Sequence, residues 1–469
     1  MTTLGETARA PASSARRPLA AIEELDLYLD SPHEPNLVQL ETHARGHLDR
    51  QALAAAVTAV LAASPDAGRR LAPASRWDRR LHWQTSAGAP LVVAGWRRPA
   101  ELTALRERLF AAPLSLYGAT FRLILAVGPE HDVVILQVHH AAFDGISAAA
   151  LLTAISGAYT ERAGVSPEPG DPLPVDPPGL DGPAMPAWLG RGPGRAIGPG
   201  RPVTLRRPGL RRPMTLPGTV TRIAPQGASP DRPGYGFVLT SMPVPRPPRG
   251  DRGPHPTVND LLVAALSLTV DRWNTAHGLR SGHIRITVPV NARDPEQRWQ
   301  GYGNLSRLIR VSTQPGERTD PAVLLAQVAA QTRAGKQQRR AEIDTISRLL
   351  AAGWAPAIVK QHTARLARRL ASPVLTDTSL VTNLGVVPDP PRFGGPGEQP
   401  LWIAAPAPMP RGLSIGAATV SGRLCLSIRY RPALLDQAAA TAFAGAYGET
   451  VAELTAPHPP GAQPPGAGG

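Results

Sequence analysis

The sequence predicts a mixed α/β protein made of two structured halves, and three observations lead to this prediction. Helix-like and strand-like stretches alternate along both halves, as expected where helices cover sheets. A stretch dense in proline and glycine, from about residue 164 to 255, separates the halves and cannot hold a continuous helix. The chain has 469 residues, 42% of them apolar, which is enough for two or three core-forming units.

The first half carries clear local signals. Helical spacing occurs in three segments, at residues 48–64, 101–112 and 145–164. Asp49 is a suitable N-cap for the first of these helices. Two strand-like runs, 120–127 and 132–138, flank the short connection GPEH and predict a hairpin in a sheet with both faces covered.

The second half repeats this mixture. Thr257 can cap a helix that runs to residue 276. Further helical patterns cover residues 320–370 and 432–454, and strand-like patterns cover residues 283–293, 305–313, 378–387, 412–420 and 423–430. The single cysteine, Cys425, lies in the alternating stretch RLCLSIRY and cannot form an intramolecular disulfide. It is interpreted as a buried strand residue.

The formal net charge of +14 raises nucleic acid as a partner. Only Lys336 and Lys360 are lysines, so nearly all of the positive charge is arginine. No zinc-finger spacing or basic helix with heptads accompanies it, and aromatic residues make up only 4% of the chain. We therefore expect a generally basic surface that attracts acidic protein partners and does not bind nucleic acid.

The sequence also bears on location. The first twenty residues lack the apolar core of a signal peptide, and no segment offers about 18 consecutive apolar residues. A cytoplasmic protein without a membrane anchor is expected. Residues 1–16 and the tail 457–469 are rich in proline, glycine and alanine and are expected to be disordered.

The stretch VILQVHHAAFDGIS, residues 134–147, carries the clearest chemical signal. An apolar strand delivers His139 and His140 directly before a helix. Successive side chains of a strand point to opposite faces, so the two imidazoles can hardly bind one metal ion together. Because the chain also has no cysteine cluster and no HExxH motif, no metal site is predicted.

The same alternation favours one working histidine and one supporting histidine. A histidine titrates near neutrality and can take a proton from an attacking hydroxyl or amine. Asp144 can fix the loop or meet a cation. Gly145 can adopt a backbone geometry that other residues resist, which would bring an N–H close to a developing oxyanion. No GxSxG motif is present, so Ser147 is interpreted as a residue of the first helical turn.

The pattern from His139 to Gly145 matches HHxxxDG, and the chain therefore resembles the superfamily of condensation domains and acyltransferases that includes chloramphenicol acetyltransferase. The segments VPVNAR, GYGN, VTNLG and LSIRYRPALLDQ are similar to the second half of free-standing condensation enzymes and polyketide-associated acyltransferases. The resemblance covers about residues 17 to 456. It implies two chloramphenicol-acetyltransferase-like sandwich lobes that form a V with a central tunnel.

The resemblance also implies boundaries and roles. The lobes would span residues 17–180 and 257–456, joined by a crossover at 181–256. His140 would be the general base, Gly145 would approach the thioester carbonyl, and His139 would support the site. Asp144 would be structural and pair with Arg293. The expected residues near the channel are Asn304, Ser379, Thr382 and Asn383.

The implied activity is transfer of an acyl group from a thioester to an amine or alcohol, giving an amide or ester in natural-product biosynthesis. The donor would be carried by the phosphopantetheine of an acyl or peptidyl carrier protein, or by coenzyme A, and no metal or redox cofactor would be needed. The enzyme is expected to be a monomer. Three alternatives stay open: a non-catalytic recruitment module on the same fold, a nucleic-acid binder marked by the basic surface, and a cyclisation catalyst that uses the same tunnel. No DFGWG sequence is present, which disfavours the plant acyltransferase branch.

Overall fold

The computed structural model describes residues 16–162, 189, 220–248, 255–337, 353 and 355–456, apart from residues 33, 86, 87, 89, 90, 233 and 396. Disorder was expected for residues 1–16 and 457–469, of which residues 1–15 and 457–469 lie outside the described residues. Residues 181–188, 190–219, 233 and 249–254 of the expected crossover lie outside them as well.

The helices and strands of the first half follow one another from residue 17 to residue 160. Its helices are α1 (Ala21–Leu29), α2 (Arg50–Ala63), α3 (Pro99–Ala111) and α4 (Gly145–Thr160). Its strands are β1 (Arg17–Pro18), β2 (Leu37–His43), β3 (Arg69–Leu71), β4 (His82–Thr85), β5 (Leu91–Gly95), β6 (Phe121–Val127) and β7 (Val133–His139).

The second half alternates in the same way from residue 236 to residue 455. Its helices are α5 (Val258–Ala276), α6 (Pro321–Gln337), α7 (Ala357–Leu375) and α8 (Gln437–Thr455). Its strands are β8 (Gly236–Pro243), β9 (Ile284–Asn291), β10 (Ser306–Thr313), β11 (Ser379–Val386), β12 (Leu401–Ala404), β13 (Leu413–Val420) and β14 (Arg423–Tyr430).

The local sequence signals are confirmed where they were strongest. The Asp49 side chain accepts hydrogen bonds from the backbone N–H groups of Gln51 and Ala52, at 2.7 and 3.0 Å, and so caps α2. Thr257 caps α5 in a reciprocal arrangement with Asp260. Strands β6 and β7 form the predicted antiparallel hairpin. Cys425 is buried in β14, as expected.

Two large sheets organise the molecule. One has five strands in the order β12-β2-β7-β6-β5, and the other has six strands in the order β10-β9-β11-β13-β14-β8. A small third sheet has the order β1-β4-β3. The five-stranded sheet packs on α2 and α4, and the six-stranded sheet packs on α5, α6 and α8, each around its own apolar core. This is the two-lobed α/β architecture that the resemblance implied.

Two strands lie where the lobe boundaries do not place them. Strand β8 falls inside the stretch that was assigned to the crossover, yet it pairs with β14 at the edge of the six-stranded sheet. Strand β12 belongs to the second half of the sequence, but it pairs antiparallel with β2 in the five-stranded sheet. The chain therefore crosses between the lobes a second time, near residue 401.

The crossing by β12 defines which face of the six-stranded sheet meets the first lobe. Ser427 donates a hydrogen bond from its hydroxyl to the Ile403 carbonyl oxygen of β12. A Cβ at Gly416 would collide with the same carbonyl group, so only glycine allows this close approach. We call the face of the six-stranded sheet that carries Gly416 and Ser427 the inner face. The opposite face packs on α5, α6 and α8.

Candidate functional site

The HHxxxDG segment connects the end of β7 to the start of α4. His139 is the last residue of β7, and Gly145 is the first residue of α4. Asp144 is the N-cap of that helix, where its Oδ1 accepts from the Ser147 backbone N–H at 2.8 Å. The Ser147 hydroxyl lies 3.0 Å from the Asp144 N–H and 3.2 Å from its carbonyl oxygen, so this serine is a helix-capping residue.

His139 is buried, with 1% of its surface exposed. Its Nδ1 accepts a hydrogen bond from the Ala141 backbone N–H at 3.1 Å, which requires a lone pair on Nδ1 and puts the ring proton on Nε2. That Nε2 lies 3.3 Å from Oδ2 of Asp30, at the end of α1. Both ring nitrogens are thus turned toward protein groups, which suits a supporting residue.

His140 is half-buried and its ring is held differently. Its Nδ1 lies 3.1 Å from the Phe143 carbonyl oxygen, which can only accept, so Nδ1 carries the proton. In this neutral tautomer Nε2 keeps its lone pair, and among the described residues none hydrogen-bonds to Nε2. The backbone N–H of His140 donates to the Asn36 carbonyl oxygen at 2.9 Å. The imidazole is therefore oriented as a base with one available nitrogen.

Asp144 and Arg293 form a buried ion pair across the two lobes. Arg293 Nη1 lies 2.6 Å from Asp144 Oδ2, and these side chains are only 4% and 6% exposed. The same carboxylate oxygen accepts from the Leu305 N–H at 2.9 Å. Gly303 offers its carbonyl oxygen to the Asp144 N–H at 3.1 Å and to Arg293 Nη2 at 3.2 Å. These bonds tie the loop after β7 to the second lobe.

Asn304 lies between His140 and a carboxyl group of α1. Its Nδ2 donates to the His140 carbonyl oxygen at 3.0 Å and to Asp26 Oδ2 at 2.7 Å. Burial raises the pKa of Asp26, while the charges of His140 and His139 and the bonds from Asn36 and Asn304 oppose that rise. A carboxyl group therefore lies close to the histidine pair.

Gly145 is needed for space. A Cβ at this position would lie 2.7 Å from Ile403 Cδ1 and 3.3 Å from Leu384 Cδ2. Gly145 is not among the described glycines with positive φ, so an unusual backbone conformation is not the reason for the glycine. The expected unusual backbone conformation is therefore wrong. Glycine is needed because β11 and β12 pack closely against the start of α4. As the first residue of α4, Gly145 has an N–H without an acceptor inside the helix.

The remaining channel candidates divide between the two faces of β11. Leu380 pairs with Ser414, which lies on the inner face. Thr382 comes two residues later and therefore lies on the same face. Ser379 is fully buried on the opposite face, beside Ile286, and its hydroxyl donates to the Leu413 carbonyl oxygen at 2.9 Å. Asn383 lies four residues after Ser379 and therefore on the same face of β11. Its Oδ1 accepts a hydrogen bond from the Gly385 N–H at 2.8 Å. Of the three candidates, only Thr382 is placed on the inner face.

The sequence interpretation missed several residues that hold the site. Asp26, Asp30 and Asn36 come from α1 and the following loop. Arg69 Nη2 donates to the Ala142 carbonyl oxygen at 2.6 Å, and its guanidinium carbon lies 5.5 Å from the Phe143 ring centroid. The only sequence signal was a short helical stretch with four acidic residues, EELDLYLD, close to the N-terminus.

A cavity of about 640 Å³ lies beside the middle of α4, at Ala150, Thr153 and Ala154. It is lined by the end of α2, the outer residues of α4, the segment Trp299–Tyr302 and the segment Val387–Asp389, so both halves of the sequence contribute. Tyr302 packs edge-on against Phe143 of the HHxxxDG loop, with ring centroids 6.1 Å apart. The cavity is thus adjacent to the histidine loop.

The described part of the chain contains neither a metal-binding cluster nor a membrane-spanning helix. Within it, no three histidine, cysteine or acidic side chains are grouped as a metal ion would require. Its helices also include none of the length and hydropathy needed to traverse a bilayer.

Comparison with solved structures shows the fold. The chain superimposes on a variant of the starter condensation domain of rhizomide synthetase in complex with C8-CoA, with a TM-score of 0.55, 16% identity, and 93% and 94% of the two chains covered. The condensation domain of the monacolin K polyketide synthase gives 0.55 at 13% identity, over 94% and 97%. The epimerization domain of the third module of tyrocidine synthetase B gives 0.53 at 15%, over 96% and 98%.

Comparison with curated sequences identifies relatives. The chain is 30% identical over 449 residues to the uncharacterized protein Rv2305 of Mycobacterium tuberculosis strain H37Rv, covering 92% of this chain and 98% of that protein. The uncharacterized protein MT2362 of strain CDC 1551 matches to the same extent. No protein-family model matches the chain. The chain therefore belongs to the family of these two mycobacterial proteins, and it has the fold of condensation domains.

Proposed function

We propose that this protein is a free-standing condensation-type acyltransferase. It takes an acyl group from a thioester on a carrier protein or coenzyme A and transfers it to an amine or alcohol. The observation that carries the proposal is the state of His140, whose Nδ1 is held by the Phe143 carbonyl group while Nε2 keeps its lone pair. The fold shared with condensation domains, one of them bound to C8-CoA, supports the proposal.

In the proposed reaction, the amine or hydroxyl of the acceptor attacks the thioester carbonyl carbon. His140 Nε2 takes the proton that the nucleophile loses, and the new C–N or C–O bond forms. Collapse of the tetrahedral intermediate breaks the C–S bond, and the proton passes from His140 to the departing thiolate. The products are an amide or ester and a free thiol. The N–H of Gly145 at the start of α4 is the proposed donor to the oxyanion.

The supporting residues have positioning roles in this proposal. Asp144 and Arg293 hold the start of α4 against the second lobe, and His139 anchors the end of β7. Asn304 holds the backbone of His140 through its bond to the carbonyl oxygen. Thr382 is a candidate contact for the substrate because it lies on the inner face. Because these contacts hold His140 in place, its imidazole needs no rotation before proton transfer.

The test is transfer measured by intact mass. An acylated carrier protein and acyl-coenzyme A are each incubated with a panel of amines and alcohols, and the loss of the acyl mass and the appearance of product are followed. His140→Ala is expected to lower the rate by about 10²–10⁴-fold, the usual contribution of a general base. The matched control is His43→Ala, a histidine of the same sheet that lies next to Glu41. A His140→Ala variant with the wild-type rate would refute the proposal.

A further inference from the structure

Two carboxyl groups from the N-terminal helix α1 and its end lie close to the histidine pair. Asp30 Oδ2 lies 3.3 Å from His139 Nε2, so this carboxyl group serves the supporting histidine. Asp26 comes four residues earlier, about one helical turn, and therefore lies on the same side of α1. It belongs neither to the HHxxxDG segment nor to the residues that hold Asp144.

Two asparagines join Asp26 to the backbone of His140, one on each side of that histidine. Asn304 donates from Nδ2 to Asp26 Oδ2 at 2.7 Å and to the His140 carbonyl oxygen at 3.0 Å. Asn36 accepts from the His140 N–H at 2.9 Å through its carbonyl oxygen, and its Nδ2 donates to the Asp26 carbonyl oxygen at 3.2 Å. Hydrogen bonds from two sides thus fix the position of Asp26 relative to His140.

The ring of His140 is oriented by a neutral group. Its Nδ1 donates to the Phe143 carbonyl oxygen at 3.1 Å, which sets the tautomer. A carbonyl group carries no full charge. When Nε2 takes a proton, the ring becomes a cation in a half-buried place, and a nearby carboxylate stabilises such a cation.

Three carboxyl groups of the site differ in what they contact. Asp144 lies 2.6 Å from Arg293, and that ion pair is buried. Asp30 lies beside His139. The remaining carboxyl group is Asp26, whose strongest printed bond comes from a neutral amide. Asp26 is therefore the carboxyl group that is placed to match a charge on the second histidine.

The pKa of Asp26 reports the same interaction from the carboxyl side. Burial raises this pKa, and the charge of His140 is the largest influence that opposes the rise, ahead of the charge of His139. An interaction between two titrating groups is mutual, so the Asp26 carboxylate must favour the protonated form of His140 to the same extent. Both residues are half-buried, where solvent screens a charge pair less than on an open surface.

The charged groups of the neighbouring helix α7 contact other residues of α1. Lys360 Nζ lies 3.2 Å from Glu24 Oε2, and Arg365 donates to the Tyr28 carbonyl oxygen at 3.1 Å. The charges that act most strongly on Asp26 are therefore those of the histidine pair.

We propose that Asp26 is the counter-charge of His140, and that its carboxylate stabilises the imidazolium that forms when Nε2 takes the proton of the acceptor. This inference rests on the proposed function, because it assigns Asp26 to the acyl-transfer step. The proton passes from the nucleophile to Nε2 and then to the departing thiolate, so Asp26 forms no bond and keeps its charge throughout. It acts through His140 and is a positioning residue.

The first measurement follows the His140 ring and needs no turnover. Imidazole resonances of the full-length protein are recorded by NMR between about pH 5 and pH 8, where histidines titrate, and their loss in His140→Ala identifies those of His140. In Asp26→Asn the ring should take up its proton about one pH unit lower than in the wild type, the smaller end of the usual effect of a nearby opposite charge. An unchanged titration would overturn the proposal.

The second measurement is the pH dependence of acyl transfer. The acid limb of the kcat/KM profile reports the base of the free enzyme. In Asp26→Asn this limb should move to lower pH by the same amount, and the rate on the plateau should fall by up to about 10-fold, the factor that corresponds to one pH unit. A purely structural role would lower the rate and leave the limb at its wild-type position, which would also overturn the proposal.

The matched control is Asp436→Asn, which removes the same charge in the other lobe. Asp436 is the N-cap of α8, and asparagine caps a helix about as well as aspartate, so the helix keeps its cap. The His140 titration and the pH profile should both stay at the wild-type values. Asp26→Glu restores the charge and should return the His140 titration toward the wild-type position.

A third measurement covers the case in which Asp26→Asn does not fold. In His140→Ala, the carboxyl carbon resonance of Asp26 should titrate at higher pH than in the wild type, because the charge that opposes the rise in its pKa is gone. Equal titrations would overturn the proposal. Coupled titrations in a protein that transfers no acyl group would support the charge pair and refute the proposed function, so the two can fail separately.

Discussion

The two ends of strand β9 hold arginines that meet carboxylates in different ways. At the end near the histidines, Arg293 meets Asp144 at 2.6 Å, and one cation faces one carboxylate in a buried, hydrogen-bonded pair. At the other end, Arg285 is one of four guanidinium groups around Asp377. Both ends belong to the inner face, but the first is a single ion pair and the second is a carboxylate shared by several arginines.

This difference separates a single buried ion pair from a shared carboxylate. A buried pair in which each charge has its partner has nothing left to offer a ligand, and it fixes the geometry of the chain around it. The carboxylate of Asp377 is instead shared by guanidinium groups from separate segments of the chain. Arg293 therefore fixes the loop of the histidines, and the arginines around Asp377 join separate segments at the other end of β9.

The largest expected effect is on the anchor. Arg293→Ala leaves the Asp144 carboxylate buried without its cation, which typically costs about 3–5 kcal/mol in the free energy of unfolding. Arg310→Gln at the other end should cost less than about 1 kcal/mol, because an exposed pair contributes little. Urea unfolding of both variants measures the two values. Equal losses from the two variants would break the distinction between the buried pair and the exposed arginine at the shared carboxylate.

The next effect concerns the close packing at Gly145. The Cβ in Gly145→Ala would meet Ile403 Cδ1 at 2.7 Å, and extra volume in a packed core typically costs about 1–3 kcal/mol. Ile403→Val removes the clashing methyl group, so the double variant should recover part of the loss. Urea unfolding of the two single variants and the double variant gives the coupling free energy. Additive losses would show that β12 does not pack on the start of α4 in solution.

The smallest effect is a pH dependence at His283, close to Arg285 and Asp377. Burial, and then the charges of Arg285 and Arg318, lower the pKa of His283 below its usual 6.5, while Asp377 and Glu317 oppose this shift. As the pH falls below that value, the unfolded chain binds a proton that the folded protein does not, so stability is lost. His283→Gln removes this contribution.

The measurement for His283 is the melting temperature between about pH 7.5 and pH 5.5, where a histidine titrates. The wild type should lose more stability than His283→Gln over this range, with a small difference because the imidazole is partly exposed. Parallel curves for the two proteins would contradict an electropositive environment at this end of β9. A matched control is His277→Gln, at the exposed end of α5.

Some elements of the molecule could be predicted from short-range signals, and others could not. The helix caps at Asp49 and Thr257 and the hairpin of β6 and β7 depend on residues close in sequence, and they were predicted correctly. Helix α1 was missed because its apolar stripe is short and interrupted by acids. Strand β12 has only four residues, and its partner β2 lies more than three hundred residues earlier, so no local pattern identifies it.

The sequence by itself determined the two-lobed α/β organisation and the histidine loop at a strand end, because periodicity and motif spacing are properties of neighbouring residues. It also led, through the resemblance, to the pairing of Asp144 with Arg293. Only the tertiary structure decided that Asp26 and Asn304 lie beside His140, and that four arginines from separate segments meet at Asp377. Those arrangements depend on where distant segments cross, and the crossing is set by how the two cores pack, which no local pattern encodes.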